Sequence, residues 1–283
     1  MFLSSKIRIG TSGYSFKDWV GSIYPESLPQ KEWLSFYARE FDTVEINSTY
    51  YRIPSPYMMA ALVRKVDPRQ FLFVVKVPKE MTHERGKFDE TVRPFLEGIQ
   101  PLIEAGCLGG LLAQFPYSFK RHHEESLSHL ERLRDAIPRE IPVHVEFRNV
   151  WWYRPEVIEF LREHDLGFVN VDLPPLPGLP QEKTSIVTNG IGYFRFHGRN
   201  AAKWWEHETA GERYDYLYSQ EELEEWVPAI LEAVSKARMT FIFMNNCHRG
   251  KSAINAVQLQ RRLNLRDPDD RAAWEILERE LFG

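Results

Sequence analysis

The chain has 283 residues, of which 43% are hydrophobic and 27% are charged, and its formal net charge at pH 7 is −4. These proportions exclude wholesale disorder, and no apolar run approaches the roughly 18 residues of a membrane span. The small negative charge argues against a protein that coats nucleic acid over a large surface, while a local basic site stays open.

The cysteines and the first residues predict the compartment. The chain contains two cysteines, Cys107 and Cys247, which are too few for a disulfide framework, and a reducing environment is the simplest explanation. The opening residues, MFLSSKIRIG, lack the long apolar stretch and the cleavage site of a secretory signal. We therefore expect a cytoplasmic protein without a membrane segment.

Strand-like segments recur along the whole chain. Each is a short run rich in β-branched and aromatic residues, bounded by turn residues or by a helix-like segment. In chain order the eight runs are Ile7–Gly13, Thr43–Tyr50, Phe71–Pro78, Leu108–Pro116, Val143–Asn149, Gly167–Leu173, Gly192–Gly198 and Thr240–Cys247.

Helix-like segments separate most of these runs. They carry apolar residues at helical spacing, as Leu223, Val227 and Ile230 show. The predicted helices are Lys31–Phe41, Pro56–Val66, Val92–Ala105, Glu124–Ile137, Pro155–His164, Gln220–Lys236 and Ala253–Leu263. Because helices separate the strands, parallel pairing in βαβ units is favoured over hairpins.

The link between the sixth and seventh strands is the exception. Its sequence, PPLPGLPQEKTS, is rich in proline over Pro174–Pro180 and has no helical period, which predicts an irregular loop. The alternation of eight strands with helices predicts an α/β fold, a single (β/α)8 TIM barrel over residues 1–283. A doubly wound open sheet is the alternative architecture.

Side-chain alternation predicts which strand residues face the barrel axis. On most strands one face is apolar and must meet the surrounding helices, so the polar face points inward. Barrel interiors are ordinarily filled by branched apolar side chains, so inward charges must pair, bind a ligand or reach water. The ionisable residues predicted to face inward are Glu45, Glu146, Asp172, Lys76, Arg148, Arg195, His144 and His197.

Some of the polar residues predicted to face inward also have structural explanations. His144 lies early in its strand and is predicted to be a core histidine, and a hydrogen bond to a neighbouring loop would explain Gln114. A purely structural ion network is the alternative for the whole set. The stronger candidates lie one or two residues before a strand end, where barrel enzymes hold their active sites: Glu45, Lys76, Arg148 and His197.

Aromatic residues concentrate just after the predicted strands. Tyr14, Trp19 and Trp152 are expected to cover a flat or sugar-like ligand that carries negative charge. The alternative is that loops over a barrel mouth need a small core of their own. At the last helix, Arg249–Ala256 (RGKSAINA) offers backbone amides and Lys251 to an anion.

Conventional catalytic motifs are missing from the sequence. No GxSxG, CxxC or HExxH occurs, and Gly10–Gly13 (GTSG) lacks the rest of a phosphate loop. Carboxylates and an imidazole would suit Zn²⁺ or Mn²⁺, but three cations on the same face oppose a bound dication. We therefore predict no metal ligands, and the cofactor stays unknown. The set considered for a metal is Glu45, Glu146, Asp172 and His197.

Several segments together resemble the DUF72 family (YecE-like proteins). IGTSGYSFKDWVGSIYP resembles its opening signature and FDTVEINSTYYRIPS its second-strand signature. FLFVVKVPKEMTH, LAQFP, VEFRN, FRFHGR and FMNN resemble later blocks, so that the resemblance runs from about Ile7 to about Leu263. It implies a TIM barrel and no established activity.

The resemblance also implies recurrent polar positions. Tyr14 stands where many members have Trp, and Tyr51 where many have Phe, so both keep an aromatic ring. The barrel has a general likeness to the metal-dependent xylose isomerase and endonuclease IV group, an analogy of fold alone. By resemblance the polar positions fall on Glu45, Asn47, Lys76, Thr82, His83, Glu146, Arg148, Arg195, His197, Gly198 and Asn246.

These observations lead to three functional hypotheses. In the first, the chain is an enzyme that binds a small anionic, phosphate-bearing, nucleotide- or sugar-like substrate at the C-terminal mouth of the barrel. In the second, the mouth binds nucleic acid without chemistry, and in the third the chain is a metal-dependent hydrolase or isomerase. The sequence does not determine the oligomeric state.

The first hypothesis assigns roles to individual residues. The acid–base residues are Glu45, Glu146 and His197. The substrate-binding residues are Tyr14, Trp19, Asn47, Lys76, Arg148, Trp152, Asp172, Arg195, Arg199 and Asn246.

Overall fold

The computed structural model describes residues 6–120, 124–267 and 269–275. Residues 1–5, 121–123, 268 and 276–283 of the predicted domain lie outside these ranges. The strands are β1 (Ile7–Thr11), β2 (Thr43–Ile46), β3 (Leu72–Lys76), β4 (Leu108–Gln114), β5 (Val143–Glu146), β6 (Leu166–Phe168), β7 (Asn170–Asp172), β8 (Ile191–Phe196) and β9 (Met239–Met244).

The helices lie between the strands, as the alternating pattern predicts. None of those in the described ranges is both long and apolar enough to cross a bilayer. They are α1 (Trp33–Tyr37), α2 (Pro56–Val63), α3 (Lys79–Thr82), α4 (Phe88–Glu104), α5 (Glu124–Asp135), α6 (Pro155–Glu163), α7 (Ala210–Arg213), α8 (Gln220–Glu224), α9 (Val227–Lys236) and α10 (Lys251–Arg262).

Two parallel sheets form the wall of the barrel. Their strand orders are β1-β9-β8-β7 and β2-β3-β4-β5-β6, and each hydrogen-bonded pair in them is parallel. The first strand therefore lies beside the last, as closure of a barrel requires. The predicted α/β barrel is confirmed, and the doubly wound alternative is wrong.

The Tyr37 hydroxyl joins the two sheets between β1 and β2. It donates to the carbonyl oxygen of Thr43 at 3.0 Å and accepts the backbone N–H of Thr11 at 2.9 Å. The strands approach closely here, because a Cβ placed on Gly10 would lie 2.2 Å from the Thr43 carbonyl oxygen. Glycine is therefore required at this position of β1.

The predicted sixth strand is two short strands that join the sheets on the other side. Val169 lies between β6 and β7, and its N–H donates to the carbonyl oxygen of Val145 at 3.1 Å. The chain then changes its partner from β5 to β8. The proline-rich connection that follows, residues 173–190, contains no helix, as predicted.

The predicted helix Gln220–Lys236 is divided into α8 and α9. Pro228 lies in the first turn of α9, where a residue without an N–H is tolerated, and Trp226 is the N-cap. Two short helices, α3 and α7, lie outside the predicted helices. The second of them, which ends at Arg213, brings side chains to the barrel mouth.

Apolar side chains pack in two layers. The outer layer lies between the strands and the helices and includes Val44, Phe73 and Phe194. The inner layer fills the barrel, and its members include Val74, Leu112, Val171, Phe241 and Phe243. Toward the C-terminal ends of the strands, polar side chains replace the inner apolar layer.

His144 belongs to the apolar part of the interior. Its ring centroid lies 4.9 Å from that of Tyr193, and its Nδ1 lies 3.3 Å from the carbonyl oxygen of Leu111. Burial lowers the pKa of this imidazole to about 4, so the ring is neutral at physiological pH. The predicted burial of His144 in the core is confirmed, but its Nε2 has no hydrogen-bond partner among the described residues.

Candidate functional site at the barrel mouth

A buried ion network lies inside the barrel near the C-terminal ends of β2, β5 and β8. The Arg195 guanidinium bridges two carboxylates: Nη2 donates to Glu45 Oε1 at 2.7 Å, Nε donates to Glu45 Oε2 at 2.9 Å, and Nη1 donates to Glu146. All three side chains are almost completely buried. The predicted inward orientation of these residues is confirmed.

Further donors saturate the Glu45 carboxylate. The Tyr193 hydroxyl donates to Oε2 at 2.6 Å, and Asn47 Nδ2 donates to Oε1 at 3.0 Å. Burial alone would raise the pKa of Glu45, but Arg195 and the Tyr193 hydrogen bond outweigh it and lower the pKa. Glu45 is therefore an anion at neutral pH.

Glu146 is held in the same way. Its Oε1 accepts Arg148 Nε at 3.0 Å and lies 3.2 Å from His197 Nε2. Burial would raise the pKa of Glu146, but Arg195, His197 and Arg148 hold it well below the ordinary value. Two carboxylates and two guanidiniums thus form a network whose formal charges cancel.

His197 is neutral and has a partner at each ring nitrogen. Asn245 Nδ2 lies 2.9 Å from His197 Nδ1 and donates to it, so Nε2 carries the proton and donates to Glu146. Burial, reinforced by Arg148 and Arg195, lowers the pKa of His197 to about 4. Alternation along β9 could have predicted Asn245, because it follows the inward residues Phe241 and Phe243.

A cavity of about 270 Å³ opens at the mouth, next to this network. Its described lining includes three cations, Lys76, Arg148 and Arg213, and no carboxylate. Glu45, Glu146 and His197, the predicted acid–base residues, are not among the residues that line it. The lining residues are Tyr50, Tyr51, Lys76, His83, Gln114, Pro116, Tyr117, Arg148, Leu179, Trp204, Trp205, His207, Arg213 and Tyr214.

Lys76 contributes a half-buried amine to the cavity. Its Nζ donates to Gln114 Oε1 at 2.9 Å and lies 4.3 Å from the ring centroid of Tyr50. Burial, followed by the positive charges of Arg195 and Arg148, lowers the pKa of Lys76 to about 7. At neutral pH this amine therefore exchanges between its charged and free-base forms.

Two arginines of the cavity lining lie over the ring of the same tryptophan, Trp204. The guanidinium carbons of Arg148 and Arg213 lie 5.6 Å and 5.2 Å from the ring centroid of Trp204. Nε of Arg213 is buried and has no hydrogen-bond partner in the described part of the chain. Burial would raise the pKa of Tyr214, but Arg148, its hydrogen-bond partner, and Arg213 outweigh it and lower the pKa.

Arg213 and Tyr214 were not predicted as site residues. They lie at the end of α7 and directly after it, in a loop where strand alternation gives no information. His83, a position implied by the family resemblance, also lines the cavity. Burial and the nearby Lys76 lower the pKa of His83 to about 4.

The expectation that Trp19 and Trp152 cover a ligand is contradicted by their burial. Both are fully buried; Trp19 Nε1 donates to the carbonyl oxygen of Cys247 at 2.7 Å, and Trp152 Nε1 to that of Phe119 at 2.7 Å. These rings form a small core beneath the loops. This was the alternative explanation for the aromatic residues near the mouth. Tyr14 is half-buried, 6.2 Å from the Tyr37 ring, and is not among the cavity-lining residues.

The prediction that Asp172 faces the axis is wrong. Val171 pairs in register with Arg195, so Val171 points inward and Asp172 points outward. There Asp172 accepts Trp226 Nε1 at 2.6 Å and Arg199 Nη2 at 2.7 Å. The predicted orientation failed because the apolar face of β7 fills the barrel interior instead of meeting the helices.

Three further predicted residues lie in different surroundings. Arg199 pairs with Glu222 and Glu225 outside the barrel, in addition to its pair with Asp172. Asn246 Nδ2 donates to Asn255 Oδ1 at 2.8 Å, because the inward position of this segment belongs to Asn245. Lys251 pairs with Asp215 and is not among the residues lining the cavity.

The residues considered for a metal do not fit one. Asp172 lies on the outer face, and the Arg195 guanidinium occupies the space between Glu45 and Glu146. In the described ranges, no three His, Cys, Asp or Glu side chains are grouped so that they could hold a metal ion.

Comparisons with known proteins support the fold. The chain resembles UPF0759 protein YunF of Bacillus subtilis (strain 168), at 27% identity over 274 residues, which are 92% of this chain and 95% of that protein. D-psicose 3-epimerase, solved in the presence of D-fructose, shares the fold alone, with a TM-score of 0.53 at 10% identity over 90% of this chain and 98% of the other.

One solved structure is more similar to this chain than these two proteins are, and a family model also matches the chain. The crystal structure of a DUF72 family protein from Thermotoga maritima MSB8 superposes with a TM-score of 0.83 and 44% identity, over 92% of this chain and 99% of the other. The family model described as "Protein of unknown function DUF72" matches residues 8–275. The chain therefore belongs to the DUF72 family.

Proposed function

We propose that the chain is an enzyme whose barrel-mouth cavity binds a small anionic substrate, such as a phosphate-bearing sugar or nucleotide fragment. One observation carries this proposal: the cavity is lined by Lys76, Arg148 and Arg213, and no carboxylate is among its described lining residues. Cationic side chains form charge-assisted hydrogen bonds with phosphate and carboxylate groups. A pocket of about 270 Å³ suits a small ligand.

The neighbouring network contains one cation for each of its carboxylates, so it does not neutralise the other cations of the cavity. Arg195 and Arg148 offset the charges of Glu45 and Glu146. The positive charge of Arg213, and that of Lys76 when protonated, is left for a ligand. The Trp204 ring, which contacts both arginines, limits their movement, and such preorganisation lowers the entropic cost of binding.

Acid–base chemistry would come from the cavity lining. Glu45, Glu146 and His197 are engaged by protein partners and do not line the cavity. Lys76, with a pKa of about 7, and Tyr214, with a lowered pKa, line it instead. A group whose pKa lies near the working pH is the better proton carrier. Lys76 meets this condition and takes the role assigned to the three predicted residues, with Tyr214 as a second group of the lining.

Sulfate is a suitable probe because its charge does not change between pH 6 and pH 9. We expect Arg213→Gln to weaken sulfate binding at least tenfold in calorimetry, because one of the charge-assisted contacts is lost. Binding to the unaltered protein should also weaken as pH rises through about 7, where Lys76 loses its proton.

The matched control is Arg69→Gln, whose side chain is 86% exposed and pairs with Asp67 away from the cavity lining. Its sulfate affinity should equal that of the unaltered protein. Sulfate binding that is absent from the unaltered protein, or equal in the two variants, would contradict the proposal.

A further inference from the structure

We propose that Lys76 is a nucleophilic amine that forms an imine with the carbonyl carbon of a small anionic aldehyde or ketone bound in the mouth cavity. This inference rests on the proposed function, since the anion-binding residues would place the carbonyl group. It narrows the substrate class from any small anion to a carbonyl compound.

The amine of Lys76 lies where a ligand in the cavity would meet it. Lys76 is the last residue of β3, which holds its backbone rigidly, and its side chain lines the cavity. The Nζ atom has an amide oxygen, Gln114 Oε1, at 2.9 Å and the Tyr50 ring at 4.3 Å. Neither partner is a carboxylate that would hold a proton on the nitrogen by pairing with it.

The charges around the amine favour its neutral form. The guanidiniums of Arg148 and Arg195 act on it, and their partners Glu146 and Glu45 offset that effect incompletely. Together with burial, this environment favours the neutral amine, which is the nucleophilic form. At pH 7 an ordinary lysine is a free base in about 1 of 3000 molecules, whereas a pKa of about 7 makes a large fraction of Lys76 reactive.

The chemical step needs no reagent beyond the substrate. The Nζ lone pair attacks the carbonyl carbon, and one proton moves from nitrogen to oxygen, which gives a carbinolamine. The C–O bond then breaks, and the oxygen leaves as water with the second nitrogen proton while the C=N bond forms. Amine and carbonyl compound thus give imine and water.

A role for Lys76 as an anion holder alone would use the charged form and form no covalent bond. The two roles differ in what a reducing agent traps, since cyanoborohydride converts an imine to a stable secondary amine. They also differ in the effect of Lys76→Arg, which keeps a positive charge and cannot form this imine.

A pair of small aldehydes tests the inference. Glyoxylate and glycolaldehyde have similar size, but glyoxylate carries a carboxylate. The full chain is treated at pH 7 with each aldehyde and added cyanoborohydride, and modified lysines are identified by peptide mass spectrometry. We expect Lys76 to be modified at least tenfold faster than Lys236, whose side chain is 48% exposed, and glyoxylate to be preferred.

The Lys76→Arg variant should lose modification at this position and keep its near-UV circular dichroism. If Lys76 reacts no faster than Lys236 with either aldehyde, the inference is wrong, whatever the sulfate titration shows. If Lys76 reacts rapidly with both aldehydes at equal rates and sulfate does not bind, the nucleophilic amine stands and the anion-binding function fails.

Discussion

Two neighbouring regions of the barrel contain the same kinds of charged residue and use them differently. In the buried network, Arg195 lies between Glu45 and Glu146, and each carboxylate oxygen accepts at least one hydrogen bond. In the mouth cavity, Lys76 and Arg213 belong to a described lining that includes no carboxylate. A cation that contacts a carboxylate therefore has a structural role, whereas a cation without a carboxylate partner in the cavity is left to bind a ligand.

The comparison shows how one region supports the other. A buried ion pair contributes little net stability compared with an apolar core, but its geometry is unique when all partners are satisfied. Here the network fixes Arg148 through Glu146. It also holds Arg195 and Arg148 near Lys76, where they add to the effect of burial and lower its pKa. The cavity thereby obtains a fixed cation and an amine with a low pKa.

The largest expected effect comes from breaking the network. Arg195→Met leaves two buried carboxylates beside each other without their shared cation, and removal of one partner of a buried pair costs about 3–5 kcal/mol. We expect that loss in the free energy of unfolding measured with guanidinium chloride. Glu45→Gln, which keeps the shape of the side chain, serves if Arg195→Met does not fold.

The exposed pair Arg69–Asp67 provides the control for this measurement. Arg69→Met should change the free energy of unfolding by less than about 0.5 kcal/mol, because exposed pairs contribute little. An equal effect of the two substitutions would show that the buried network is not a structural support.

A smaller effect is expected from the aspartate on the outer face. Asp172→Asn removes the charge that Arg199 contacts and weakens the hydrogen bond from Trp226 Nε1. Loss of a buried charge-assisted hydrogen bond costs about 1–3 kcal/mol, whereas sulfate affinity should stay unchanged. Reduced sulfate binding at unaltered stability would contradict the placement of Asp172 outside the cavity.

A change at Lys76 should have the opposite sign. Lys76→Met should raise the free energy of unfolding at pH 7, because an apolar side chain avoids the desolvation of an amine. The pKa of Lys76 is lowered from 10.5 to about 7, so between these values the unfolded state binds more protons than the folded state. The advantage of the variant is therefore fully present below pH 7 and is lost as pH rises toward 10.5.

Unfolding of both proteins at a series of pH values checks this sign. A stability difference between Lys76→Met and the unaltered protein that does not change between pH 7 and pH 10.5 would contradict the low pKa. It would also remove the electrostatic argument for a nucleophilic amine, while the position of Lys76 in the cavity would be unaffected.

The amino-acid sequence alone determined the strands, the barrel and the inward orientation of Glu45, Glu146 and Arg195. These are local consequences of a period of two along a strand, on which polar and apolar residues alternate clearly. The same rule failed for Asp172, because alternation shows which residues share a face and does not show which face is inside. On β7 the inner face is the apolar one.

Only the tertiary structure decided which charges pair and which are left for a ligand. Arg195 meets Glu45 across 150 residues of chain, and Arg213 reaches the cavity from a short helix that no strand pattern predicts. Trp19 and Trp152 likewise became core residues through contacts with distant carbonyl oxygens. Electrostatic and packing energies depend on distances in space. Closure of the barrel sets these distances, and they cannot be read from the order of residues along the chain.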